Sequence, residues 1–216
     1  AFAMPLSLHG IVVLKDGTEV EVSIGEKEGE PQFIIVWDSQ AETNAPYGLV
    51  NRPIRDAVRT LRRAFYFCTG RDVPVADVSA HEKYAGHPLV LVGKSVLTDA
   101  LGIRPAALPP EGFVVSTFSN GVAIVGNDSS IDPDFPKATP LLKLGPRRAT
   151  VWGTYDFLER FMGCRYYYPG PDGAVRPVCT NLVMAPCAYT DAPRFRNRGG
   201  TPGGRAFLSR TVEREL

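Results

Sequence analysis

The residues best suited to chemistry fall into four groups, and each has a spacing that can be checked. His81-Glu82 begins like the H-E-x-x-H helix of a zinc peptidase. That motif needs its second imidazole four residues on, so that both rings share one helix face. Ala85 stands there. The next histidine, His87, precedes Pro88, and the residue before a proline is pushed away from helix. The segment therefore reads as a surface loop, and a metallopeptidase is the weakest of the functional readings. Gly93-Lys94-Ser95 resembles the end of a phosphate-binding loop, but the glycine that should open the loop is Pro88. Leu89 to Val92 between them are strand-forming rather than a glycine-rich cradle. A strand end followed by a helix cap accounts for all three residues.

Acyl-transfer chemistry has no anchor, because no G-x-S-x-G elbow occurs in the sequence. Carboxylates are plentiful, yet their positions nominate no acid/base pair for glycoside hydrolysis. The aromatic group Tyr155, Phe157, Phe161, Tyr166, Tyr167 and Tyr168 reads mainly as core and sheet packing. Its sharper reading is a sugar-stacking platform, in which an exposed tyrosine, Tyr167, lays its ring against pyranose C–H groups. Cys68, Cys164, Cys179 and Cys187 form no C-x-x-C pair, so neither a zinc knuckle nor a redox motif is expected. They fit reduced core thiols or one or two disulfides of an exported protein. Cys179 and Cys187 are the favoured local pair, and spacing leaves the pairing open. No metal and no cofactor is called for.

The elements that must position these residues follow from periodicity. Residues 11–24 alternate around Asp16-Gly17 and predict a hairpin. Phe33 to Trp37 and Leu89 to Val92 are continuous apolar runs, expected as strands buried on both faces. Residues 52–68 carry Ile54, Val58, Leu61, Phe65 and Cys68 on one helical stripe. Arg52, Arg55, Arg59, Arg62 and Arg63 fall on the other faces and read as solvated. Val73-Pro74-Val75 begins another extended stretch. Ser95 should cap a short helix through Leu101. Phe113–Phe118 and Val122–Val125 predict strands joined by Asn120-Gly121. Residues 127–146 read as a long loop. A second helix is expected over about residues 147–162, with Val151, Tyr155, Leu158 and Met162 on its apolar stripe and Gly163 as its stop. Arg165–Tyr168 and Leu182-Val183 read as further strands.

These elements predict an α/β (α+β) two-layer sandwich, a mixed sheet with helices packed on one face. The chain has 216 residues, 44% hydrophobic and 22% charged, which is ordinary globular usage. Its 24 basic and 23 acidic residues leave a formal charge of +1. That balance gives no reason to expect nucleic acid or an anionic membrane as partner. No apolar run approaches the roughly 18 residues of a membrane span. Ala1-Phe2-Ala3 has the small-x-small pattern of a signal-peptidase site, in keeping with a secreted or periplasmic protein.

Three segments in order carry a resemblance. The first is the helix leading to Phe67-Cys68-Thr69-Gly70-Arg71-Asp72-Val73-Pro74-Val75. The second is Leu91-Val92-Gly93-Lys94-Ser95. The third, and most specific, runs from Ala149 to Gly170 and contains Gly153, Tyr155, Phe157-Leu158-Glu159 and Gly163-Cys164-Arg165-Tyr166-Tyr167-Tyr168-Pro169. Together they resemble the N-terminal domain of α-glucuronidases and the related domain ahead of β-hexosaminidase barrels. The departure is a tyrosine, Tyr166 or Tyr167, where that group carries tryptophan. The resemblance covers roughly residues 30–190.

It implies a domain without an active site, packed against a catalytic TIM barrel of the same polypeptide whose later strands bear the acids. On this reading residues 1–30 are a β-hairpin extension, 31–190 the α/β domain, and 191–216 the start of a truncated barrel. Pro193 to Gly200 looks like the first barrel strand. Arg198 matches the arginine that holds sugar hydroxyls in the hexosaminidase branch, a task suited to a fixed guanidinium fork. The expected function is a non-catalytic accessory domain of a secreted glycoside hydrolase acting on polysaccharide. The alternative is a stand-alone carbohydrate-binding module using exposed tyrosines.

Overall fold

The computed structural model describes residues 11–15, 18–22, 33–40, 51–84, 86–119, 121–129, 147–168, 171–178, 184 and 186–194. The expected barrel strand beyond Arg194, the strand at Leu182-Val183 and Arg198 lie outside the described residues, as does nearly all of the 127–146 loop.

The first described elements form an antiparallel ribbon, β1 (Ile11–Lys15) and β2 (Thr18–Val22), in which Ile11 pairs with Val22 and Lys15 with Thr18. The main sheet starts with β3 (Ile34–Trp37), which α1 (Asn51–Thr69) follows. Then come β4 (Val75–Asp77), a 3-10 turn over Val78–Tyr84, β5 (Leu89–Val92) and α2 (Val96–Ala100). The hairpin β6 (Phe113–Phe118) and β7 (Gly121–Gly126) leads to α3 (Ala149–Met162). A small ribbon of β8 (Arg165–Tyr166) and β9 (Ala174–Val175) precedes β10 (Ala188–Asp191).

Six of these strands form one mixed sheet in the order β10-β6-β7-β5-β3-β4. Strands β4, β3, β5 and β7 run parallel; β6 is antiparallel to β7, and β10 pairs antiparallel with β6 at the sheet edge. With two long helices on one face, this is the expected two-layer sandwich. The helices meet the sheet through Phe33, Ile35, Val90, Val92, Val115, Val122 and Ile124. From α1 the stripe Ile54, Val58, Leu61, Phe65 and Cys68 is buried, with Ala57 and Ala64 filling its flank. Phe65 meets Phe33 edge-on at 4.5 Å. Burying each such large side chain contributes about 1.5–3 kcal/mol. The opposite sheet face, Ile34, Val36, Leu91, Ala123 and Val125, is covered by lighter pieces: Val78 and Tyr84 of the 3-10 turn, Leu97 of α2, and Ile103.

Two expectations needed adjustment. Phe118 pairs directly with Gly121, so Gly121 already belongs to β7 rather than to the turn. Gly121 has φ +151°, and a Cβ there would lie 1.9 Å from the Leu89 carbonyl oxygen. The glycine is required by the close approach of β5 rather than by the turn. The tyrosine run, expected as one strand over 165–168, contributes only Arg165 and Tyr166, paired with Val175 and Ala174 outside the main sheet.

The N-terminus of α3 is anchored from a distance. Its N-cap residue, Arg148, makes no side-chain cap. Instead Asp128, just past β7, accepts from the Thr150 backbone N–H at 3.0 Å and from the Thr150 hydroxyl. That hydroxyl oxygen accepts in turn from the Gly126 N–H at 2.9 Å. A salt bridge from Arg148 to Asp56, 2.6 Å, ties the same end of α3 to α1. Burial dominates Asp128 and pushes its carboxyl up to about 6, against the opposing pull of the Thr150 and Ala149 hydrogen bonds.

Two predictions follow from these contacts. Gly121→Ala should cost about 3 kcal/mol or more, because the methyl has no space. Gly102→Ala also sits at positive φ but meets nothing within 4 Å, and should cost about 1 kcal/mol. Urea unfolding of the two variants ranks them, and equal midpoints would refute the close-approach explanation. For Asp128, the folded carboxyl holds its proton to higher pH than the unfolded one. Its contribution to stability is therefore present at low pH and is lost as pH rises from about 4 through 6. Between pH 5 and 7 this amounts to about 1.4 kcal/mol per pH unit at most, or a few degrees in Tm. Asp128→Asn should show a smaller fall in Tm over that interval than the parent. Identical slopes would show that Asp128 does not carry the effect.

Candidate functional site

The carboxyl ends of parallel strands are where open α/β sheets commonly bind ligands. Here the described residues at that edge are engaged in structural bonds. Asp77, ending β4, accepts from the Ser39 and Ser79 backbone N–H groups, each at 2.9 Å, and from both serine hydroxyls. These four donors, the Ser39 hydroxyl foremost, hold its carboxyl well below the usual carboxylate range. The bonds knit the end of β4 to the chain leaving β3. After β5, Ser95 caps α2 as expected: its hydroxyl accepts from Thr98 N–H at 3.3 Å, and Thr98 Oγ1 accepts from Ser95 N–H at 2.8 Å. Lys94 is exposed beside them. His81 lies in the 3-10 turn with Nδ1 2.7 Å from the Val78 carbonyl oxygen, a local bond within that turn.

The other end of the molecule is different. At the C-terminal half of α1, Tyr66 and Phe67 lie off the buried stripe and are about half exposed, 51% and 47%. Their rings meet edge-on at 5.9 Å. Two guanidinium groups lie over Phe67, Arg63 at 5.4 Å and Arg176 at 5.0 Å from the ring centroid. Arg176 also lies 5.8 Å from the Tyr166 ring. Tyr166 is half-buried against Tyr155, with ring centroids 4.9 Å apart, and burial pushes its phenol far above the ordinary range.

Tyr167, the predicted stacking residue, follows directly. It is 72% exposed, and its backbone N–H is fixed by the Gly173 carbonyl at 2.8 Å. Tyr168, Val175 and Val178 are exposed in the same β8–β9 segment. Beside this surface Arg59, Arg62, Arg63, Tyr66 and Asp72 line an open depression of about 370 Å³. Asp72 takes a two-point contact from Arg62, 2.7 and 2.5 Å, which lowers its carboxyl. Both partners are more than half exposed, so solvent screens the pair and it adds little to stability.

Tyr167 is exposed, and the adjoining Tyr166 meets Arg176, which also lies over Phe67, two residues that sequence reasoning had not singled out. Phe67 and Arg176 are separated by more than a hundred positions, and no local pattern joins them. The available signal was Tyr66-Phe67 itself, two large aromatics placed off the apolar stripe of an otherwise regular amphipathic helix. Arg198 lies outside the described residues. Chemically the surface offers apolar contact area and delocalised cations. Among its carboxylates, Asp72 is engaged by Arg62 and Glu159 pairs with Arg165. No helix among the described residues is long and apolar enough to cross a membrane. The chain matches no protein-family model, and no curated protein is significantly similar to it.

Proposed function

We propose that this domain is a non-catalytic accessory module of a carbohydrate-active hydrolase, and that it docks onto a catalytic barrel of the same polypeptide through the surface around Phe67. One observation carries the reading. The segment most specific to the α-glucuronidase and β-hexosaminidase resemblance, from Ala149 onward, builds α3 and β8, brings Tyr166 to the Arg176 that lies over Phe67, and leaves the next two residues, Tyr167 and Tyr168, exposed. Tyr66, Phe67, Val175 and Val178 extend it with exposed apolar area, and clustered exposed apolar groups mark interaction sites. Arginine and aromatic residues are also the types enriched in interface cores. The carboxylates that the structure describes in detail support the same view, since Asp56, Asp72, Asp77, Asp128 and Asp156 each hold an arginine, a hydroxyl or a backbone amide. The proposed setting is a secreted or periplasmic hydrolase of polysaccharide.

The exposure of Tyr167 and Tyr168 favours a second reading, a stand-alone carbohydrate-binding module. Purified protein separates the two. As an accessory module it should leave aryl glycosides and uronyl-xylooligosaccharides unhydrolysed, and it should give no heat when titrated with a glycan panel. Saccharide binding that disappears in Tyr167→Ala would replace the first reading with the second. Robust turnover would overturn both. The reading frame past Leu216 supplies a separate check: strand–helix repeats with two carboxylates at strand ends are expected there, and any other fold pattern would sink the barrel partner.

A further inference from the structure

Cys68 lies in the last turn of α1, and Cys164 follows Gly163, the left-handed residue that ends α3. Their Sγ atoms face each other at 3.8 Å although the residues are 96 positions apart. Both side chains are buried, 1% and 0% exposed, among the residues that pack the two helices on the sheet. Both are thiols, and the third described cysteine, Cys187, is also a thiol. A disulfide needs its sulfurs about 2.05 Å apart. The remaining gap is roughly 2 Å, within the reach of side-chain rotation about the Cα–Cβ bonds.

We propose that Cys68 and Cys164 are a cross-linking site, joined as a disulfide when the chain folds with a small-molecule disulfide such as oxidised glutathione present. One cysteine thiolate attacks the external disulfide, forms a mixed disulfide and releases the first thiolate. The second cysteine thiolate attacks the protein-side sulfur of that mixed disulfide and releases the other. Two protein thiols become one disulfide, and the external disulfide is reduced to two thiols. The bond closes a loop of nearly a hundred residues and restricts the unfolded chain accordingly. It also fastens the two helix ends from which the aromatic surface is built, since β8 begins immediately after Cys164. Because the native thiols are buried, exchange happens during folding rather than on the finished domain. The inference is independent of the function proposed above.

The test uses the whole chain, unfolded with all thiols reduced and refolded with either oxidised glutathione or dithiothreitol. Peptide mass mapping without reduction should find Cys68 linked to Cys164 in the oxidised sample. That sample should melt higher by about 5 °C or more, and dithiothreitol should erase the gain. Cys68→Ala and Cys164→Ala should each abolish the gain, while Cys187→Ala should keep it. Should either core variant fail to fold, the peptide map of the parent chain decides alone. A full complement of reduced thiols after oxidative refolding, a linkage to Cys179 or Cys187 instead, or an unchanged Tm would overturn the proposal.

Discussion

Strands β3, β5 and β7 are apolar on both faces, and that single constraint organises the domain. Ile34 and Val36 point to one side of the sheet while Phe33 and Ile35 point to the other, and all four are buried. Neither side of such a strand tolerates water, so the chain must cover the sheet twice. The heavy cover is α1 and α3 lying together on one face. The light cover is a 3-10 turn and the short α2. The helices must then keep their polar sides outward, which is why α1 carries its arginines on the solvent side of its stripe.

Once the helices are seated, the contacts between them decide what the surface looks like. Asp56 and Arg148 join α1 to α3 at one end, and Cys68 and Cys164 meet near the other. Between these points Tyr155 lies half-buried and passes the contact on to Tyr166. The β8–β9 ribbon is thereby held against the end of α1, where Arg176 reaches Phe67. Each cation–π contact there contributes only about 0.5–1 kcal/mol at an exposed site. Such contacts orient the rings but leave them half in water, and a partner that covered them would recover the burial term that the domain alone forgoes.

Much of this fold was legible in the sequence wherever one local pattern had one physical cause. The stripe from Ile54 to Cys68, the continuous apolar runs of β3 and β5, and the Ser95 cap all have that property. The reading fell short where two distant segments decide the outcome. Gly121 looks like a turn glycine next to Asn120, but the Leu89 carbonyl is what excludes a side chain there. Phe157 reads as one aromatic among several, yet it is fully buried while Tyr155 on the predicted stripe is only partly so. For α3 the predicted end at Met162 holds and its start falls two residues later than expected, but the group that satisfies its first turn is Asp128, twenty-two positions before Thr150. The candidate surface follows the same rule: exposure of Tyr167 could be anticipated from a run of three tyrosines, but the way Arg176 bridges Phe67 and Tyr166 depends on tertiary packing.

Asp128 also shows why a raised carboxyl is weak evidence for acid–base chemistry. A carboxyl pushed up to about 6 is what a general acid requires, and in a cleft it would be a leading candidate. Here both oxygens are committed to the first turn of α3, one to a backbone N–H and the other to a hydroxyl. A group that protonates a leaving atom must be free to approach it, and Asp128 is held by both oxygens to the helix it supports. Asp77 fails in the opposite way. Four donors hold it ionised, so it has no proton to give near neutrality. The two residues have shifts of opposite sign, yet each uses both carboxyl oxygens to join secondary-structure elements. A perturbed carboxylate becomes a functional candidate only when part of its hydrogen-bonding capacity is left for a substrate.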